Sequence, residues 1–159
     1  MADASVPMTS KGYQFLIEEL KRLKTVERPK NIREIEEARG HGDLSENAEF
    51  HAAKERQSLL DLQIREIEDK VARAQVIEVG KLSGDKVVFG ATVELAPVDG
   101  GPDVRYQIVG DDEADIKNGL LSINSPIARA LIGRSAGDEV EVAAPGGARG
   151  FEVLAVRLV

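Results

Sequence analysis

Between Ser45 and Gln75 the chain runs without a proline or a glycine. Through that stretch Ala53, Gln57, Leu60, Ile64, Ile67, Val71 and Ala74 step alternately by four and three residues. This heptad spacing lays an apolar seam along one side of a helix and requires a second helix to cover it. Leu59 and Leu62 are expected to widen the stripe. At the rise of an α-helix the segment would be about 45 Å long. Its partner lies upstream. Thr9 or Ser10 can cap a helix whose Tyr13, Leu16, Leu20 and Leu23 form an apolar stripe. Pro29 cannot occupy a helix interior without a kink or break, so a bend is predicted at Glu27-Arg28-Pro29. The helix then resumes with Pro29 near its first position and Ile32, Ile35 and Ala38 facing inward. Gly40-His41-Gly42-Asp43 supplies the turn. The expected object is an antiparallel helical hairpin with a thin core, projecting as a rod with most of its surface in water.

The grammar changes near Gly80, giving expected domains of 1–79 and 80–159. Glycines are sparse before this point and frequent after it, where short β-branched runs replace long charged residues. Residues 87–89, 91–95, 104–109, 139–142 and 151–158 read as strands, with Pro145-Gly146-Gly147 as a turn. Ser125-Pro126 reads as a cap and first helical position, and Gly133 as the end of a short helix over Ile127 to Ile132. The fold class is therefore α+β: a coiled-coil hairpin, then a small antiparallel sheet domain with one short helix.

Charge and composition exclude several functions. The 159 residues carry 21 basic and 28 acidic side chains, a net charge of -7. Direct binding of free nucleic acid through phosphates calls for the opposite balance. There are no cysteines, which excludes disulfides, thiolate zinc sites and cysteine nucleophiles. No apolar run is long enough to span a bilayer and no export signal is visible at the start, so a cytoplasmic protein with no membrane partner is expected.

The chemistry concentrates at the predicted hairpin tip, near 41–49. Asp43 and Glu46 have the spacing of a capping box, in which the first accepts from the first helical turn and the second folds back. They also suit part of the shell of a Mg²⁺ ion, which is commonly held by one or two carboxylates with other ligands from elsewhere. Both readings can hold at once, since a cap can orient a ligand. His41 and His51 stand ten residues apart with no third histidine, too few for a closed zinc site. Arg39 and Lys54 flank the tip and could form a small basic spot; spacing alone favours ion pairs with Glu49 or Glu55. Asp111-Asp112-Glu113-Ala114-Asp115 lacks the glycine and terminal glutamate of a calcium loop and reads as a solvated acidic turn.

These stretches, taken in order, resemble the bacterial GreA-type transcription elongation factors. The matching segments are Pro7-Met8-Thr9, Glu27-Arg28-Pro29, His41-Gly42-Asp43-Leu44, Glu46-Asn47-Ala48-Glu49 and His51-Ala52-Ala53. In the second half they are Phe89-Gly90-Ala91-Thr92-Val93, Ile108 through Ala114, and Asn124-Ser125-Pro126-Ile127-Ala128-Arg129. Gly40 stands where a longer polar residue is expected, which would loosen the tip, and Phe50 where Tyr is usual. The resemblance implies an FKBP-like second domain and a coiled coil that enters the secondary channel of RNA polymerase. It further implies that Asp43 and Glu46 help hold a Mg²⁺ shared with the polymerase, none being bound by the chain alone. On that basis the polymerase cleaves the nascent RNA 3′ end of a backtracked complex. Arg39 and Lys54 match a basic patch facing the RNA, and Asn124, Ser125 and Pro126 a loop that docks on the polymerase. The factor is then a monomer and not itself an enzyme.

Three other functions compete. A non-cleaving inhibitor of the secondary channel would share the shape and differ at the tip carboxylates. A prolyl isomerase needs an aromatic-lined pocket, and the second half offers only Phe89, Tyr106 and Phe151. A free nuclease fails on ligand count and charge.

Overall fold

A computed structural model describes residues 5–43, 46–143 and 145–159. It divides into two compact units: Tyr13–Arg73, and the residues up to Gly12 together with Ala74–Val159. The sequence places the change at Gly80; the contacts group the short strands on either side of the hairpin with the sheet.

The hairpin unit holds most of α1 (Ser10–Arg22), then α2 (Arg28–Arg39) and α3 (Ala48–Arg73). Its antiparallel pairing can be read from cross-helix contacts. Lys24 meets Glu68 at 3.0 Å, Arg28 meets Asp61 at 3.4 Å, and Arg56 meets Glu34 at 3.0 Å, so one number falls as the other rises. The expected seam of α3 is present as far as Val71: Ala53, Leu60 and Ile64 are buried and Gln57, Ile67 and Val71 half-buried, while Ala74 falls in the strand that follows. Leu59 and Leu62 do not widen it; they are 57% and 46% exposed. The helix is also shorter than expected. It starts at Ala48, the expected start at Ser45 lying outside the described residues, and it ends at Arg73 where a strand begins.

The predicted bend at Pro29 takes a different form. Leu23–Glu27 is a π-helical segment, and the flanking Arg22, Glu27 and Arg28 keep right-handed helical angles. The Arg28 N–H reaches back five residues to the Leu23 carbonyl. This wider turn absorbs the missing proline donor just upstream of Pro29, so the helix continues instead of breaking. It also explains a displaced stripe. Continuing the 16, 20, 23 spacing by alternate steps of four and three would bring 30, 34 and 37 inward. The buried residues are Asn31, Ile35 and Ala38, each one position later, as one extra residue in a π turn requires. Ile32, expected inside, is 45% exposed. Asn31 takes the inward place, and its Nδ2 donates to the Ala53 carbonyl at 2.9 Å.

The second unit is built on a five-stranded sheet in the order β5-β4-β3-β7-β6. These strands are β3 (Thr92–Pro97), β4 (Val104–Val109), β5 (Leu120–Ser122), β6 (Glu139–Val142) and β7 (Arg149–Arg157). The sheet is mixed, where a wholly antiparallel one was expected. The unanticipated β5 pairs parallel with β4, Ile108 opposite Leu121. A parallel pair needs a crossover, and residues 110–119 provide it with two short 3₁₀ turns. Residues 87–89 form no strand. Helix α4 (Pro126–Leu131) begins as predicted: Ser125 Oγ accepts from the Ala128 N–H at 3.2 Å, with Pro126 in the first turn. Its Ala128 and Leu131 join Val93, Leu95, Ile108, Phe151 and Val153 in one core. A second, two-stranded parallel sheet pairs β1 (Val6–Thr9) with β2 (Ala74–Ile77), two strands the sequence reading missed. In chain order the entire hairpin is their crossover connection.

Candidate functional site

The connection between α2 and α3 is held by hydrogen bonds of the Gly40 and His41 backbone and of the Asn47 side chain. Gly40 ends α2 with ordinary helical angles, its N–H shared between the Glu36 and Glu37 carbonyls at 3.2 and 3.1 Å. It therefore introduces no unusual backbone at the tip. The left-handed position falls at Gly42, with φ 105° and open space where a Cβ would stand. Asn47 precedes α3 and caps it: its Oδ1 accepts from the Phe50 N–H at 3.0 Å, and its Nδ2 donates to the Ala38 carbonyl. One side chain thus starts the descending helix and ties it to the ascending one. The sequence reading overlooked Asn47 as a cap, although an Asn three residues before an N–H it can reach is the ordinary signature.

Asp43 and Glu46 lie in this connection and both are exposed, Glu46 in a 3₁₀ turn. Leu44 and Ser45 between them fall outside the described residues. His41 Nδ1 meets Glu49 Oε2 at 2.9 Å across the turn, both side chains largely in water. Glu49 is therefore engaged by His41, and Lys54 bonds Gln57 Oε1 at 3.0 Å. Among the described residues neither Arg39 nor Lys54 forms the ion pair that spacing favoured. No group of three or more histidine and carboxylate side chains among them is arranged to hold a metal ion, so two tip carboxylates could supply only part of a shell. Phe50 stacks edge-on against His51 at 5.7 Å between ring centres.

A second constellation surrounds the predicted docking loop. Asn124 and Pro126 are exposed and Ser125 half-buried. The preceding acidic turn is not merely solvated. Asp111 accepts from Ser122 Oγ through Oδ1 and from Asn124 Nδ2 through Oδ2, the latter at 2.7 Å. Glu113 accepts from the Gly110 and Thr9 N–H groups at 2.9 and 3.0 Å, and from Thr9 Oγ1. A Cβ on Gly110 would stand 2.0 Å from the Pro7 carbonyl oxygen, so this glycine permits β1 to approach.

The chain matches the family Transcription elongation factor, N-terminal over residues 6–76, and Transcription elongation factor, GreA/GreB, C-term over 82–158. The chain belongs to the GreA/GreB family of transcription elongation factors. It is 63% identical to Transcription elongation factor GreA of Phenylobacterium zucineum over 154 residues, 97% of this chain and 98% of that protein. Against the protein of the same name from Caulobacter vibrioides the identity is 63% over 95% of this chain and 96% of the relative. Among solved structures, GreA factor homolog 1 (Gfh1) of Thermus thermophilus is 29% identical, covering 96% of this chain and 99% of that one, with a TM-score of 0.43. The two family segments meet between 76 and 82, in the stretch where the sequence changes character. No helix among the described residues is long and apolar enough to cross a membrane.

Proposed function

We propose that this chain acts on backtracked RNA polymerase as a transcript cleavage factor and is not itself a nuclease. Its hairpin enters the secondary channel and brings Asp43 and Glu46 to the polymerase's catalytic centre, where they hold part of the shell of a shared Mg²⁺. The observation that carries this reading is local: Asp43 and Glu46 both stand exposed in the connection between the two helices of the hairpin, while Asn47 caps α3. A second metal, when bound, stabilises charge on the attacking and leaving oxygens of phosphoryl transfer. Asp43 and Glu46 orient the attacking water from the same place. Arg39 and Lys54, each with its charge unpaired by a carboxylate among the described residues, face the extruded RNA 3′ end. Asn124, Ser125 and Pro126 dock the sheet unit on the polymerase.

The test is a stalled, backtracked polymerase with end-labelled RNA. Asp43→Asn and Glu46→Gln should each lower the saturating cleavage rate by on the order of a hundredfold while polymerase binding persists. Cleavage at the wild-type rate by both variants would sink the carboxylate assignment. Loss of binding together with cleavage would instead make the two acids structural. Without polymerase, no variant should cut RNA.

A further inference from the structure

We propose that Asp111 is a positioning residue that fixes the shape of the docking loop Asn124–Ser125–Pro126; this rests on the reading of that loop as the polymerase contact. Asp111 spends both carboxylate oxygens on the loop, Oδ1 on Ser122 Oγ and Oδ2 on Asn124 Nδ2 at 2.7 Å. Ser122 passes the restraint on. Its Oγ accepts from the Asn124 N–H at 3.1 Å, and its carbonyl accepts from the Ser125 N–H and Oγ–H at 2.9 and 2.7 Å. Ser125 in turn caps α4 through Ala128. Backbone and side chains of the loop are thus referred to a single carboxylate outside it.

That carboxylate has a fixed base. Two residues on, Glu113 is bonded to Gly110 and Thr9, and Gly110 packs against the Pro7 backbone. The turn cannot slide along the sheet without breaking these contacts. The Asp111 bonds are themselves exposed, so water competes for them and they contribute little to global stability. Their effect is to select one conformer of an exposed loop. A partner that binds that conformer gains affinity in proportion to its population. Asp111 therefore acts on binding through Asn124 and Ser122, leaving cleavage at saturation unaltered.

The experiment measures cleavage against factor concentration on backtracked polymerase, with thermal unfolding alongside. Asp111→Ala should raise the half-saturating concentration about tenfold, with the plateau rate and midpoint temperature nearly unchanged. Asp111→Asn keeps an acceptor for Ser122 and should shift it less. Ser122→Ala should shift it in the same direction, and Asp111→Ala added to Ser122→Ala should be clearly less than additive. Asn124→Ala and Pro126→Ala serve as controls for the docking reading. If they raise the half-saturating concentration and neither Asp111 variant nor Ser122→Ala does, the positioning role is overturned and docking stands. If the loop controls have no effect either, the docking reading fails and takes the proposal with it. An equal fall in plateau rate, or a large drop in unfolding temperature for Asp111→Asn and Ser122→Ala, would also overturn it.

Discussion

The two units bury their apolar surface in opposite ways. Among the described residues of the sheet unit twelve form one closed core, with Val87, Val93, Leu95, Ile108, Leu131 and Val153 fully inaccessible. In the hairpin the corresponding cluster is Leu23, Leu60 and Ile64, with Leu20 and Ile67 at its margin. Two helices facing one another have only a seam to bury, so the hairpin must find its specificity elsewhere. It finds it in polar groups that work only in one register: Asn31 on the Ala53 carbonyl, and Asn47 on both the Ala38 carbonyl and the Phe50 N–H. The sheet unit's stability rests on volume, whereas the hairpin's alignment rests on direction.

The sharpest way to break this contrast is to make the same truncation on each side. Leu95→Ala removes a side chain with no exposure from a closed core and should cost about 3–4 kcal/mol. Leu60→Ala acts on a side chain 9% exposed at a seam that can relax, and should cost about half as much. Hydrogen exchange resolved by segment would read the two losses separately. Equal losses, or effects spread over both units, would show that the hairpin core is not thin in the energetic sense.

Asn31 is the next test. Asn31→Ala should cost about 1–2 kcal/mol, since it leaves a cavity and removes a buried bond. Asn31→Leu fills the space with apolar volume and should recover much of that stability. If direction matters as argued, it should do so at the expense of register, visible as lost exchange protection around Asn47 and reduced cleavage at saturation. A fully active and better protected Asn31→Leu would mean that volume alone sets the hairpin.

The same residue shows what the sequence could disclose. The α3 seam was legible because a heptad pattern depends only on regular spacing. The partner stripe was legible as far as Leu23 and then slipped, because a π turn inserts one residue without any residue type announcing it. Pro29 signalled that the backbone needed relief, but not whether relief would come as a break or as a wider turn. Strands β1, β2 and β5 were missed for another reason. Each has only three or four residues, and their pairing is parallel, so it is set by distant segments. At the tip, the acidic pair was visible as chemistry. Asn47 was overlooked because Asp43 and Glu46 already fit the capping-box spacing, and spacing does not disclose that Asn47 reaches the Phe50 N–H and the Ala38 carbonyl together. In the sheet unit the acidic turn was read as solvated because three adjacent carboxylates usually are. Its partners at Thr9, Ser122 and Asn124 come from segments that composition cannot bring together.

The smallest expected effect lies on the hairpin's ascending arm, where electrostatics is exposed. Glu19 Oε1 accepts from Arg22 Nη2 at 2.6 Å, and this hydrogen bond from the guanidinium holds its carboxyl below the ordinary value of 4.5, against the opposing effect of burial. A carboxyl depressed in the folded state binds its proton more readily when unfolded. Its contribution is therefore complete above the ordinary carboxylate pKa and disappears as the pH falls through the lower, folded value. With the pair largely open to water, the gain should be no more than about 0.5 kcal/mol and should shrink in salt. Comparing wild type with Glu19→Gln across the acidic range should give unfolding curves that differ slightly at neutral pH and merge in acid. A difference that persists or grows in acid would mean that the side chain stabilises the helix through packing and not through its charge.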